Sequence, residues 1–231
     1  MRSLAHPAAA EEQMDAADLD PAVYAEVLND LARVNRWTFT ARPTLSFLKR
    51  ALGARAKFSL LDVGFGDGDL LRAVAGWAGK QGFEARLTGV DLNPKSSAVA
   101  SAKTPDRFDI EYLTGDYLDH VDRGFDFIVS SQVAHHMTRD QLQTFLHAME
   151  AQARQGWQIS DLHRHRFSYL GFPLLARIMG CHPIVRLDGQ LSIARSFRPA
   201  EWRPILSEAG LGPEARIRRC FPFRLCVERL R

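Results

Sequence analysis

From residue 58 to residue 160, short apolar runs alternate with longer stretches whose apolar positions recur at helical spacing. The runs predict strands at 58–63, 86–90, 110–113, 125–130 and 157–160. Helices are expected at 70–78 and 96–102, and in a segment reaching 152 that opens on Thr138-Arg139-Asp140-Gln141, the pattern of a capping box. Strands alternating with helices predict an α/β fold with a mostly parallel sheet covered on both faces. Upstream, Asp20-Pro21 places a capping residue before a proline in the first helical position. Tyr24, Val27, Leu28, Leu31 and Val34 then follow at helical spacing, and a second helix over 42–52 carries Leu45, Phe47, Leu48 and Leu52. Together these form an expected N-terminal helical extension, preceded by an alanine- and acid-rich stretch, 1–19, expected to be a mobile tail.

The alternation breaks between 162 and 197. An apolar stretch, 167–181, is followed by a polar, loop-like segment containing Arg186, Asp188 and Arg195. A helix is expected over 199–209, distorted by Pro204 and ended by Gly210. The chain closes with strand-like runs at 215–220 and 224–230. Only Phe221-Pro222-Phe223 separates them, and so tight a connection permits antiparallel pairing alone.

Composition narrows the class without naming a chemistry. At 231 residues, 46% hydrophobic and 25% charged, the chain suits one globular domain with a substantial core, expected over 20–231. No apolar run approaches the roughly 20 residues of a membrane-spanning helix, and the first ten residues lack a signal-peptide core. A cytoplasmic location is the resulting expectation. Cys181, Cys220 and Cys226 have no zinc-like spacing and read as reduced thiols. The net charge of +3 hides an asymmetry: residues 154–231 carry 14 arginines, no lysine and six acids. These arginines are not interleaved with aromatics, so the basic third reads as a solvated face and no nucleic-acid partner is expected.

The first predicted strand runs into Asp62-Val63-Gly64-Phe65-Gly66-Asp67-Gly68. Alternate glycines suit a backbone that turns with positive φ or lets a ligand lie against bare main chain. The dinucleotide fingerprint G-x-G-x-x-G fails, because its third glycine would fall at Asp69, and no phosphate-binding loop is present. Asp62, Asp67 and Asp69 make a poor pyrophosphate cradle and suit a ligand carrying positive charge.

Here the chain resembles the class I, Rossmann-like S-adenosylmethionine-dependent methyltransferases, whose first motif is D-x-G-x-G-x-G. The resemblance is clear over 58–152 and looser to the C-terminus, where a helix and hairpin match the family's antiparallel last strand. It implies a seven-stranded sheet and a donor, S-adenosylmethionine, held by Asp62, Gly64, Gly66 and Gly68. Asp91, ending the second strand, matches the acid that binds both ribose hydroxyls, and Asp116 the acceptor of the adenine amino group. Leu92 and Tyr117 would flank the adenine, with Ser131 and Gln132 near the methionine end. In these terms 57–161 is the donor-binding core and 162–197 an insertion covering the substrate.

The acceptor is less defined. After the fourth strand, Ser131-Gln132-Val133-Ala134 departs from the Asn/Asp-Pro-Pro-Tyr of many amine methyltransferases. Only Asp161 offers an acid at the ends of strands four and five, so no metal is expected. His135, His136, His163 and His165 are candidate bases, with His136 and His163 ranked first as catalytic. Tyr169, Leu170, Phe172, Leu174, Leu175, Ile178 and Met179 are expected to supply an apolar lining. Asp161-Leu162-His163-Arg164 and Phe221-Pro222-Phe223-Arg224 resemble a subgroup related to quinone and polyketide methyltransferases. The expectation is O-methylation of a phenolic or polyketide-like small molecule with an aromatic or lipophilic character. Two alternatives stand beside it: an RNA methyltransferase using the basic third, and a donor-binding partner protein without turnover.

Overall fold

The computed structural model describes residues 4–231 other than 17 and 54. Five parallel strands, β1 (Lys57–Val63), β2 (Glu84–Asp91), β3 (Ile110–Thr114), β4 (Phe127–Ser131) and β5 (Gly156–Leu162), are followed by β6 (Arg216–Cys220) and β7 (Arg224–Leu230). The sheet order is β3-β2-β1-β4-β5-β7-β6, and β7 runs antiparallel to both of its neighbours. The expected α/β architecture, with its antiparallel last strand, is therefore the one observed.

The β1 strand reads as a continuous apolar run because both faces of the sheet are covered. Its alternate residues go to opposite cores. Leu61 and Val63 pack with Ile128, Trp157 and Leu225 under α5 (Arg139–Gln152) and α8 (Pro199–Glu208). Phe58 and Leu60 pack with Phe127 and Val129 under α2 (Arg42–Leu52), α3 (Asp69–Gln81) and Ala100 of α4 (Pro94–Lys103). Phe47 meets Phe127 edge-on at 5.8 Å, and each such fully buried side chain contributes about 2 kcal/mol through burial. The Thr138–Gln141 capping box is present at the start of α5.

A third, smaller core joins α1 (Pro21–Trp37) to α6 (Arg166–Ile178) and α7 (Pro183–Arg195) through Val27, Val34, Ala176, Cys181 and Val185. The α7 segment corrects an expectation, since 183–195 was to be a polar loop. Pro183 occupies its first turn after His182, whose side chain accepts from the Ile184 N–H. Its amphipathic pattern is blurred because Asp188 and Ser192 are buried in hydrogen bonds while Leu187 faces out. Within the stretch expected to be a tail, residues 4–16 lie along α7. The Ala8 N–H donates to the Ala194 carbonyl at 3.0 Å, and the Met14 N–H to Asp188 Oδ2 at 2.9 Å. Residues 1–3 and 17 of that stretch lie outside the described residues.

Candidate active site

Strand order reverses between β1 and β4, and a crevice opens there beyond the strand carboxyl ends. It holds a cavity of about 710 Å³. The glycine turn forms its floor. Gly64, Gly66 and Gly68 have φ of 79°, 57° and 78°, in the left-handed region that side chains disfavour. A Cβ on Gly64 would meet Val133 Cγ2 at 2.4 Å, so the turn is closed against the end of β4. The Gly66 N–H donates to Asp91 Oδ2 at 2.9 Å, while Asp91 Oδ1 accepts from the Asn93 N–H at 2.9 Å. A carboxylate has about four acceptor sites, so Asp91 can fix the turn and still receive ligand hydroxyls.

Asp62 is buried, and its Oδ1 has no hydrogen-bond partner. Burial, with Asp69 and Asp91 close by, pushes its carboxyl well above the usual range. Asp69 is raised to about 6, mainly by burial and then by Asp67, against the Asn35 amide that donates to it at 2.9 Å. A buried unpartnered carboxylate oxygen calls for a cation or a donor group. Ser131 Oγ, also lining the cavity, is likewise buried without a partner. These orphaned atoms fit the amino-acid end of a sulfonium nucleoside.

Residues 60–156 match the family model described as a methyltransferase domain. Over those residues the chain is similar to methyltransferase domains. A comparison with curated protein sequences returns no match. Solved methyltransferases share its fold at low identity. A magnesium protoporphyrin IX methyltransferase from Synechocystis with bound SAH is 18% identical, with a TM-score of 0.56, covering 95% of this chain and 91% of that one. An Aquifex aeolicus SAM-dependent methyltransferase is 17% identical, with a TM-score of 0.61 and coverages of 92% and 99%. Human N-acetylserotonin methyltransferase in complex with SAM is 14% identical, with a TM-score of 0.63; 92% of this chain matches 56% of that longer one.

Of the residues that the methyltransferase resemblance points to, Asp62, Gly64, Gly66, Asp91, Leu92, Asp116, Tyr117 and Ser131 all line the cavity. Gly68 does not. It caps α3 in the left-handed conformation, under the Tyr112 hydroxyl that a Cβ would strike at 2.4 Å. Leu92 is 75% exposed and free to cover a ring, and Tyr117 is braced edge-on by Phe145 at 5.0 Å. Gln132 holds a positive φ of 61° at the end of β4. It is secured by its Nε2 donating to Asn35 Oδ1 at 3.0 Å and by Arg224 Nη1 donating to its Oε1 at 2.7 Å.

The histidines divide. His135 and His136, on the short turn after β4, line the cavity. His163 does not; it bridges to Phe197, and burial, then His165 and the arginines 219, 198 and 164, lower its pKa to about 4. His135 Nδ1 lies 2.8 Å from Asp161 Oδ1, and its Nε2 lies 3.5 Å from Glu12 Oε1. Burial works against the imidazolium, but Asp161 and then Glu12 outweigh it and raise His135 to about 9. His136 Nε2 stands 3.6 Å from the same Glu12 oxygen. Glu12 and Asn35 escaped sequence reading because they come from far upstream, and no local pattern ties either to β4.

The covering of the cavity also differs from expectation. Along α6, Phe167, Leu170, Leu174 and Ile178 are 49–75% exposed, and none of the seven residues expected as lining borders the cavity. That apolar stripe faces outward because α6 packs through Phe172 and Ala176 instead. The cover comes from Glu12 and Met14, from Leu28 and Leu31 of α1, and from Val185, Gly189 and Ser192 of α7.

Proposed function

We propose that the enzyme transfers the methyl group of S-adenosylmethionine to a hydroxyl of an aromatic or lipophilic small molecule. One observation carries the reading: the cavity lined by the glycine turn is also lined by an apolar wall and by Glu12 and His136. Leu28, Leu31, Val133, Met137 and Val185 make that wall. An apolar site with few polar groups orients a lipophilic acceptor and excludes water.

The donor supplies an electrophilic methyl carbon on a positively charged sulfur. The chain's residues do the rest. Asp91 and Asp116 orient the nucleoside, Leu92 and Tyr117 enclose its base, and Asp62 and Ser131 meet the amino-acid end. Positioning two reactants in line is the larger part of catalysis for such a displacement. His136 Nε2, beside Glu12, is placed to receive the proton of the acceptor hydroxyl as the oxygen–methyl bond forms and the sulfur–methyl bond breaks.

A small acceptor is supported over RNA by where the basic residues go. Arg164 pairs with Glu201, Arg218 with Glu228, and Arg229 and Arg231 with Glu150, so these four of the fourteen arginines of the arginine-rich third are paired within the fold. Among the described residues no helix is long and apolar enough to cross a membrane. Incubating the purified chain with labelled S-adenosylmethionine and a panel of alkyl-substituted phenols tests the proposal. Label in an ether product supports it, and donor binding without transfer to any phenol overturns it.

A further inference from the structure

Glu12, His135 and His136 bring one carboxylate oxygen and two imidazole nitrogens within 4.8 Å of one another. The two spacings from Glu12 are close to those of ligands around an ion. In a tetrahedral site with bonds of about 2.0–2.1 Å, neighbouring ligand atoms stand roughly 3.3 Å apart. Glu12 Oε1 lies 3.5 Å from His135 Nε2 and 3.6 Å from His136 Nε2. His135 Nε2 is buried and makes no hydrogen bond, so its polar capacity is unspent.

The surroundings have the second layer that metal-binding histidines use. His135 Nδ1 faces Asp161 Oδ1 at 2.8 Å, and Asp161 Oδ2 accepts the His135 backbone N–H at 2.9 Å. A carboxylate on the far nitrogen fixes the tautomer, leaves Nε2 as the lone-pair donor and raises its basicity. Asp161 is fully buried and is fixed further by the Leu162 N–H at 2.7 Å. Glu12 is likewise oriented, by the Ser192 hydroxyl donating to Oε1 at 2.8 Å. Arg195 approaches the same oxygen at 4.0 Å and offsets one of the two carboxylate charges, which leaves a net negative site.

We propose that Glu12 Oε1, His135 Nε2 and His136 Nε2 bind one divalent first-row transition ion, with its open positions facing the acceptor end of the cavity. Two imidazoles and one carboxylate suit zinc, iron(II), cobalt or nickel over magnesium or calcium, which favour all-oxygen sets. All three ligand residues line the cavity, so a bound ion would border it. This part rests on the proposed methyl transfer: a bound ion favours loss of the acceptor hydroxyl's proton to solvent and holds the oxygen as its anion, and His136 serves as base only in the ion's absence.

The test uses the full chain, stripped with chelator and titrated with cobalt(II) alone while visible d–d absorption is followed. One cobalt per chain is expected, displaced by zinc. Glu12→Gln and His136→Ala each weaken it at least ~10-fold, and Asp161→Asn weakens it by about 10–100-fold. His147→Ala, on the exposed face of α5, leaves the titration unchanged. Binding of S-adenosylhomocysteine by each variant shows that it is folded. Absence of cobalt bands in a chain that binds S-adenosylhomocysteine overturns the metal site and leaves the transferase reading standing. Equal cobalt binding by the Glu12→Gln/His136→Ala double variant also overturns it, by assigning the ion elsewhere. Cobalt binding of the expected kind without S-adenosylhomocysteine binding supports the metal site and overturns the transferase reading.

Discussion

The backbone N–H of Gly66 donates to Asp91 Oδ2 at 2.9 Å, so the turn after β1 is held by the residue that ends β2. The two sides of the donor site are thus one unit. Replacing Asp91 with Ala removes the anchor of the turn and, with it, the acceptor proposed for ligand hydroxyls. Hydrogen bonds to a charged group are worth about 1.5–3 kcal/mol, so affinity for S-adenosylhomocysteine should fall by roughly 10–100-fold. Calorimetric titration of the variant measures this; affinity within twofold of the parent contradicts the assigned role.

Gly64→Ala should be damaging for two separable reasons. Its φ of 79° disfavours a side chain, and the new Cβ would lie 2.4 Å from Val133 Cγ2. Strain and overpacking of this kind cost about 1–3 kcal/mol each. Adding Val133→Ala should restore part of the stability in a urea titration, because it relieves the contact but not the φ. No recovery at all would show that the close approach is unimportant.

Donor affinity should depend on pH. Asp69 is raised to about 6 by burial and by Asp67, and Asp62 is raised by burial, Asp69 and Asp91, with Arg72 the cation nearest in effect on Asp69. A ligand with an ammonium group binds the ionised carboxylates. Affinity should therefore rise as Asp69 ionises, between about pH 5 and pH 7, by up to roughly tenfold, with protons released on binding. The empty protein follows the opposite sign: its folded state holds the Asp69 proton, so this contribution to stability is lost as pH rises from about 4 through 6. Titrations in buffers of different ionisation enthalpy check the first point, and pH-independent affinity without proton release contradicts it.

Arg224 is buried and donates to Gln132 at 2.7 Å and to Thr38 Oγ1 at 3.3 Å, with Thr40 also a partner. Burial lowers its pKa to about 10, so it stays charged at neutral pH. Arg224→Ala would leave these neutral acceptors unpaired and should cost about 1–3 kcal/mol. A matching fall in the urea midpoint is expected, together with weakened donor binding as Gln132 loses its left-handed conformation. Retention of both would show that Gln132 is held by Asn35 alone.

What could be read from the residues was local. The strand runs, the glycine turn and Asp91 and Asp116 at strand ends are patterns within a few positions, and the sheet places them as expected. The cover of the site was not local. Glu12 lies in a stretch with no periodicity and acquires its role only by packing on α7. The α6 stripe of Phe167, Leu170, Leu174 and Ile178 has the spacing of a buried face, yet tertiary packing turns it outward. His163 and His136 look equivalent as histidines after strands, yet only His136 of the two lines the cavity, while His163 bridges to Phe197.

That separation predicts a kinetic split. His136→Ala should lower kcat by about 10²–10⁴ if it receives the acceptor proton, with affinity for S-adenosylhomocysteine retained. His163→Ala should leave kcat within a few fold. The reverse ranking in steady-state assays on a methylated phenol would reassign the base.

The most direct test of the central claim is a calorimetric titration of the purified chain with S-adenosylhomocysteine. One equivalent bound per chain, weakened by Asp91→Ala and by Gly64→Ala, is the predicted result. An absence of saturable binding by the folded parent chain would contradict the account.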